Sequence, residues 1–108
     1  MELSVMSPVL NGTNFEESVK YLSSLGVDSI EIGAGGYPGT AHINPAECLE
    51  SPAKVKEIKD ILKKYNMKFS AFACHGNPVH PDKAFAEKSH SEFVNAMKAA
   101  VMFGVDTV

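Results

Sequence analysis

Hydrophobic positions along the chain switch between strand-like runs and helical spacing, and the switches divide it into repeated units. Leu3 to Val9 reads as a first strand. Thr13-Asn14-Phe15-Glu16-Glu17 then offers a capping box, either Thr13 with Glu16 or Asn14 with Glu17, and predicts a helix that stops at Gly26. Val27 to Gly33 reads as a second strand. Ser51-Pro52 sets an N-cap before a proline at the first helical position. Val55, Ile58, Ile61, Leu62 and Tyr65 follow at helical spacing up to Asn66, which ends that helix. A third strand leads to Cys74 and His75. A third helix begins near Pro81 to Ala84 and runs to Gly104, with Phe93, Val94, Met97 and Val101 expected on its inner face. A fourth strand opens at Val105.

A weak internal repeat gives the topology. Leu25-Gly26-Val27-Asp28-Ser29-Ile30 recurs as Phe103-Gly104-Val105-Asp106-Thr107-Val108, 78 residues later, and Asn66 falls near the midpoint. Each interval fits one strand-helix unit of about 30 or more residues. Repeated units of that kind build a parallel sheet with right-handed crossovers. Two readings of the repeat stand side by side: barrel periodicity, or merely the common chemistry of helix-to-strand turns.

Composition narrows the function classes. With 108 residues the chain is one domain at most; 44% hydrophobic and 21% charged residues are ordinary globular values. The net charge of -3 and the absence of a basic run give no footprint for nucleic acid. No apolar stretch reaches the roughly 20 residues needed to span a bilayer, and Met1 to Met6 lacks the pattern of a signal peptide. Cys48 and Cys74 read as reduced thiols, so a cytoplasmic protein is expected.

Alternation along the strands selects the candidate residues. In the second strand Ile30 and Ile32 share the face that meets helices, so Glu31 points the other way, which in a barrel is the interior. In the third strand Phe69, Ala71, Ala73 and His75 form one expected face, and Ser70, Phe72 and Cys74 the other. Glu31 and His75 are then expected to line one mouth, at the carboxyl ends of neighbouring strands where α/β barrels place chemistry. Cys74 and His75, being adjacent, point apart and do not share a metal. Bland readings accompany each: a structural carboxylate for Glu31, a loop-holding ring for His75, loop shaping for His42 and His80, a helix flank for His90.

The segment Ala34 to Pro45 is long for a strand-to-helix connection, where about 2–6 residues is usual. Its glycines do not make a phosphate loop, because no Gly-Lys-Ser/Thr follows and Pro38 replaces the third glycine of the dinucleotide fingerprint. A substrate-covering loop with Tyr37 as a wall is one reading; a surface insertion is the other.

Four motifs together resemble the xylose-isomerase-like TIM barrels, and within them the sugar phosphate isomerase/epimerase group, whose fold apurinic endonucleases share. They are Met6-Ser7-Pro8-Val9-Leu10, Gly26 to Gly33, Pro38-Gly39-Thr40-Ala41-His42 with Asn44-Pro45, and Cys74-His75-Gly76-Asn77-Pro78-Val79-His80-Pro81. The resemblance implies an α/β fold for residues 1–108. They would form a single partial domain, the N-terminal part of a (β/α)8 TIM barrel, with (βα)3 plus the start of strand four in a parallel sheet. It also implies that a divalent metal ion (Mn, Mg, Co or Zn) serves the complete protein, on ligands beyond these residues, and that this chain alone holds none. Apurinic endonucleases place a zinc-binding His at the end of strand three, where His75 stands, so His75 is either a metal ligand or a sugar contact.

The resulting expectation is the N-terminal part of a metal-dependent sugar or sugar-phosphate isomerase/epimerase that moves a proton through an enediolate. His75 and Glu31 would bind substrate hydroxyls, while Tyr37 and His42 close the lid. The expected partner is a small-molecule sugar or sugar phosphate, with neither nucleic acid nor membrane. As a free-standing chain it would leave strands one and four as open edges, so a homo-oligomer closing two half-barrels is a further expectation. The alternatives are a non-catalytic half-barrel fragment or assembly module, and a metal-dependent phosphoesterase acting on abasic sites.

Overall fold

The computed structural model describes all residues from Met1 to Val108. Strands β1 (Ser4–Met6), β2 (Ser29–Gly36) and β3 (Lys68–His75) form a parallel sheet in the order β1-β2-β3. Helices α1 (Phe15–Ser24), α2 (Pro45–Glu50), α3 (Pro52–Lys64) and α4 (Lys83–Phe103) connect and follow the strands. No helix is long and apolar enough to cross a membrane.

Local chemistry sets most of the helix ends. Asn14, not Thr13, caps α1: its side chain accepts from the Glu17 amide at 2.9 Å, and Glu17 reaches back to the Asn14 amide. Ser51 caps α3 ahead of Pro52, and Asp82 caps α4. The three helix stops expected from the repeat share one geometry. Gly26, Asn66 and Gly104 have φ of 80°, 52° and 69°, the left-handed region. In each case the next amide reaches five residues back, Val27 to Leu22, Met67 to Leu62 and Val105 to Ala100, at 2.9 to 3.1 Å. These are Schellman closures; the first two turn the chain into β2 and β3, and the third leads into Val105 to Val108, which form no strand of their own. The Phe72 amide donates to the Thr107 carbonyl at 2.9 Å, so the last residues begin to pair beside β3. The repeat is structural.

Ile30, Ile32 and Phe72 are at most 1% exposed and face the helices, where they join Val19, Leu22, Ile43, Cys48, Val55, Ile58 and Leu62 in one core. Burying a side chain of that size contributes about 1.5–3 kcal/mol. The Phe69 and Phe72 rings meet edge to face at 5.5 Å, and both pack on Phe103 at the end of α4. The other face of the sheet carries Ser4, Glu31, Ser70 and Ala71, none of them fully buried, with the Ser4 and Ser70 hydroxyls 2.7 Å apart across β2.

Four local expectations are corrected. The first strand stops at Met6, because Pro8 starts a 3₁₀ turn over Ser7–Leu10. The second strand runs on to Gly36, and the supposed long loop also contains α2. The third strand carries a bulge: Ile30 pairs with Phe69 but Glu31 with Ala71, leaving Ser70 extra. Simple alternation therefore fails, and Phe69 shares the helix-covered face with Phe72. Finally, α4 buries Ser89, Ala96, Ala99 and Ala100 instead of the larger residues, whereas Phe93, Met97 and Val101 are exposed. Small side chains let the helix approach closely; size alone misled the face assignment.

Candidate functional site

A cleft of about 450 Å³ opens at the carboxyl rim of the sheet, between the tips of β2 and β3 and the first turns of α4. Its volume lies within the range of small-ligand sites. His75 ends β3, and its carbonyl accepts from the Tyr37 amide at 2.9 Å, so the two strand tips are tied together. Tyr37 stands at the rim and is 97% exposed. His80 enters from the loop before α4; its Nδ1 accepts from the Asp82 amide at 3.0 Å. An acceptor nitrogen there leaves the proton of the neutral ring on Nε2. The ring is held further by Phe85, with centroids 4.5 Å apart. Asn77 closes the turn, its side chain accepting from the Val79 amide at 3.2 Å.

The helical wall comes from Phe85, Lys88, Ser89 and Glu92. Glu92 Oε2 accepts from the Gly36 amide at 3.1 Å, while Oε1 lies 3.8 Å from Lys88 Nζ. Burial first, and then the Glu92 carboxylate, push the Cys74 thiol up, which disfavours its thiolate.

Of the four residues expected to touch a ligand, the structure brings two together. His75 and Tyr37 both line the cleft. Glu31 does not reach it: it pairs with Ala71, four residues before His75, about 13 Å lower at 3.3 Å per residue. The shared mouth expected for Glu31 and His75 is thus corrected, because β2 extends past Gly33. His42 lines a separate depression with Asn14, Lys54 and Glu57. It is buried, with Nε2 2.9 Å from the Thr13 carbonyl and 3.1 Å from the Leu10 carbonyl. Carbonyls only accept, so Nε2 carries the proton and the ring bolts the loop before α1 in place. The lid position expected for His42 gives way to an anchoring one.

The wall residues Lys88, Ser89 and Glu92 escaped sequence reasoning. Phe85, Ser89, Glu92, Ala96, Ala99 and Phe103 recur three or four apart, and that stripe, polar at its start and small at its end, was the available signal. As for metal, nowhere do three or more His, Cys, Asp or Glu side chains converge in a way that holds an ion. The donor set of these residues does not fit a divalent metal by itself.

Residues 19–108 match the family model described as xylose isomerase-like TIM barrel. The chain belongs to that family. It is also 35% identical, over 109 aligned positions, to the uncharacterized protein YfiH of Bacillus subtilis (strain 168). That match covers all of this chain but 34% of the relative, so the chain spans about a third of the relative's length. The three-stranded parallel sheet with its flanking helices is accordingly part of a barrel of this family, and the cleft sits at the end of the strands where such barrels carry out chemistry.

Proposed function

We propose that this chain forms one wall of the substrate site of a sugar or sugar-phosphate isomerase or epimerase. The observation that carries the reading is the cleft itself, with His75, His80, Tyr37, Asn77 and Ser89 around a volume of about 450 Å³ at the carboxyl rim. Imidazole, amide and hydroxyl groups are the donors and acceptors that match vicinal hydroxyls, and Phe85 supplies an apolar floor. In this reading the ring of His75 and the Nε2–H of His80 hold hydroxyls and fix the sugar's orientation. The proton is moved between adjacent carbons through an enediolate by groups of the complete protein outside these residues. Any divalent ion would likewise sit on ligands from outside.

The test is solvent-proton exchange with the full-length protein. Aldoses, ketoses and their phosphate esters are incubated in D2O with Mn, Mg, Co or Zn ions, and deuterium at the carbon beside the carbonyl is followed by NMR. Enzyme-dependent incorporation together with a rearranged or epimerised sugar is expected. No incorporation for any member of the panel would overturn the reading.

A further inference from the structure

The tips of β2 and β3 meet out of step. Gly33 pairs with Ala73 and Gly36 with His75, so Ala34 and Gly35 together oppose Cys74 alone. One extra residue at that point bends the strand and re-aims the chain beyond it. Past the bulge, the acceptor of the Gly36 amide is a side chain of α4, Glu92 Oε2 at 3.1 Å. The next amide, of Tyr37, donates to the His75 carbonyl at 2.9 Å. Consecutive amides thus tie Tyr37 and His75 to each other and to α4.

The helix lies tight against both strand tips. A Cβ at Gly35 would stand 3.3 Å from the Glu92 Cβ, and one at Gly76 would stand 2.9 Å from the Ser89 Cβ. Ser89 and Glu92, three residues apart, share that face of α4. Lys88 Nζ lies 3.8 Å from Glu92 Oε1 and leaves Oε2 to the amide.

Resting on the sugar-site reading above, we infer that Glu92 is a positioning residue of that site. Through the Gly36 amide it fixes the tip of β2, and so sets where Tyr37 and His75 stand toward a ligand. In this role the reach of the side chain matters more than its charge. Misplacing such groups by about 1 Å can cost about 100-fold in rate.

Two variants of the full-length protein separate reach from charge. Glu92→Gln loses the charge but keeps an oxygen for the Gly36 amide; Glu92→Asp keeps the charge but falls one methylene short. NMR follows exchange of the Tyr37 amide and the His75 ring C–H signals without any ligand, and kcat/KM is measured on the sugar that exchanges deuterium. In Glu92→Asp the His75 signals should move and the Tyr37 amide should exchange about tenfold or more faster. Its kcat/KM should fall about tenfold or more, and Glu92→Gln should recover most of that loss. Losses in Glu92→Gln as large as those in Glu92→Asp would mean that the charge itself acts, and would overturn the inference. Wild-type exchange and kcat/KM in both variants would overturn it as well. If no sugar is turned over, the sugar-site reading falls, while the Tyr37 and His75 signals still decide whether Glu92 sets the strand tips.

Discussion

Gly36 and Glu92, 56 residues apart, join the tip of β2 to the third turn of α4 through one hydrogen bond of 3.1 Å. The backbone permits this because Gly36 adopts a φ of 63° and because a side chain there would not fit. A Cβ at position 36 would lie 2.0 Å from the His75 carbonyl oxygen. The same close approach sets the edge of the cleft, since that carbonyl also receives the Tyr37 amide.

Gly36→Ala is therefore expected to destabilise the protein by more than about 1 kcal/mol, through left-handed strain plus a forced displacement of His75. Urea unfolding should show a lower midpoint at unchanged slope. A change within about 0.5 kcal/mol, as for an ordinary surface site, would contradict the geometry.

His42 offers a contrasting test, because it stabilises without touching the cleft. His42→Leu leaves the Thr13 carbonyl without its donor, whereas the Leu10 carbonyl keeps the Thr13 amide and hydroxyl, and a loss of about 1–3 kcal/mol is expected. Ligand affinity at the cleft should stay within about twofold, since the sites are separate. A large drop in affinity with intact stability would restore His42 to the ligand.

The pH response rests on one surface pair. The Lys64 ammonium donates to Glu16 at 2.9 Å and holds that carboxyl below its usual range, with the Tyr65 hydroxyl adding to the effect. The same bond holds Lys64 above its usual range. A depressed carboxyl contributes stability above its unfolded value and loses it as pH falls through the folded one. A raised ammonium contributes below its unfolded value and loses it as pH rises through the folded one. The pair thus acts across the middle of the scale and fades at both ends. The melting-temperature difference between wild type and Glu16→Gln should shrink toward acid pH and in high salt, because both groups are exposed. A difference that persists unchanged in acid would rule the pair out.

What the sequence disclosed was local. The stops at Gly26, Asn66 and Gly104 were legible because a helix end is written in a few adjacent residues, and the same holds for the Asn14–Glu17 box and Ser51-Pro52. What depends on a neighbouring element was not legible. The bulge at Ser70 exists only in the pairing of β3 with β2, so alternation misplaced Phe69. Length of β2 separated Glu31 from His75. Close approach through Ala96, Ala99 and Ala100, not bulk, chose the buried face of α4. Glu92 reached the site by that approach, which explains why the α4 side of the cleft wall was invisible beforehand.

The central claim is that the cleft around His75 holds the substrate, and steady-state kinetics of His75→Ala in the full-length protein test it most directly. A fall in kcat/KM of tenfold or more, about 1.4 kcal/mol of transition-state stabilisation, is expected with the unfolding midpoint little changed. Unchanged kcat/KM in a folded variant would contradict the account.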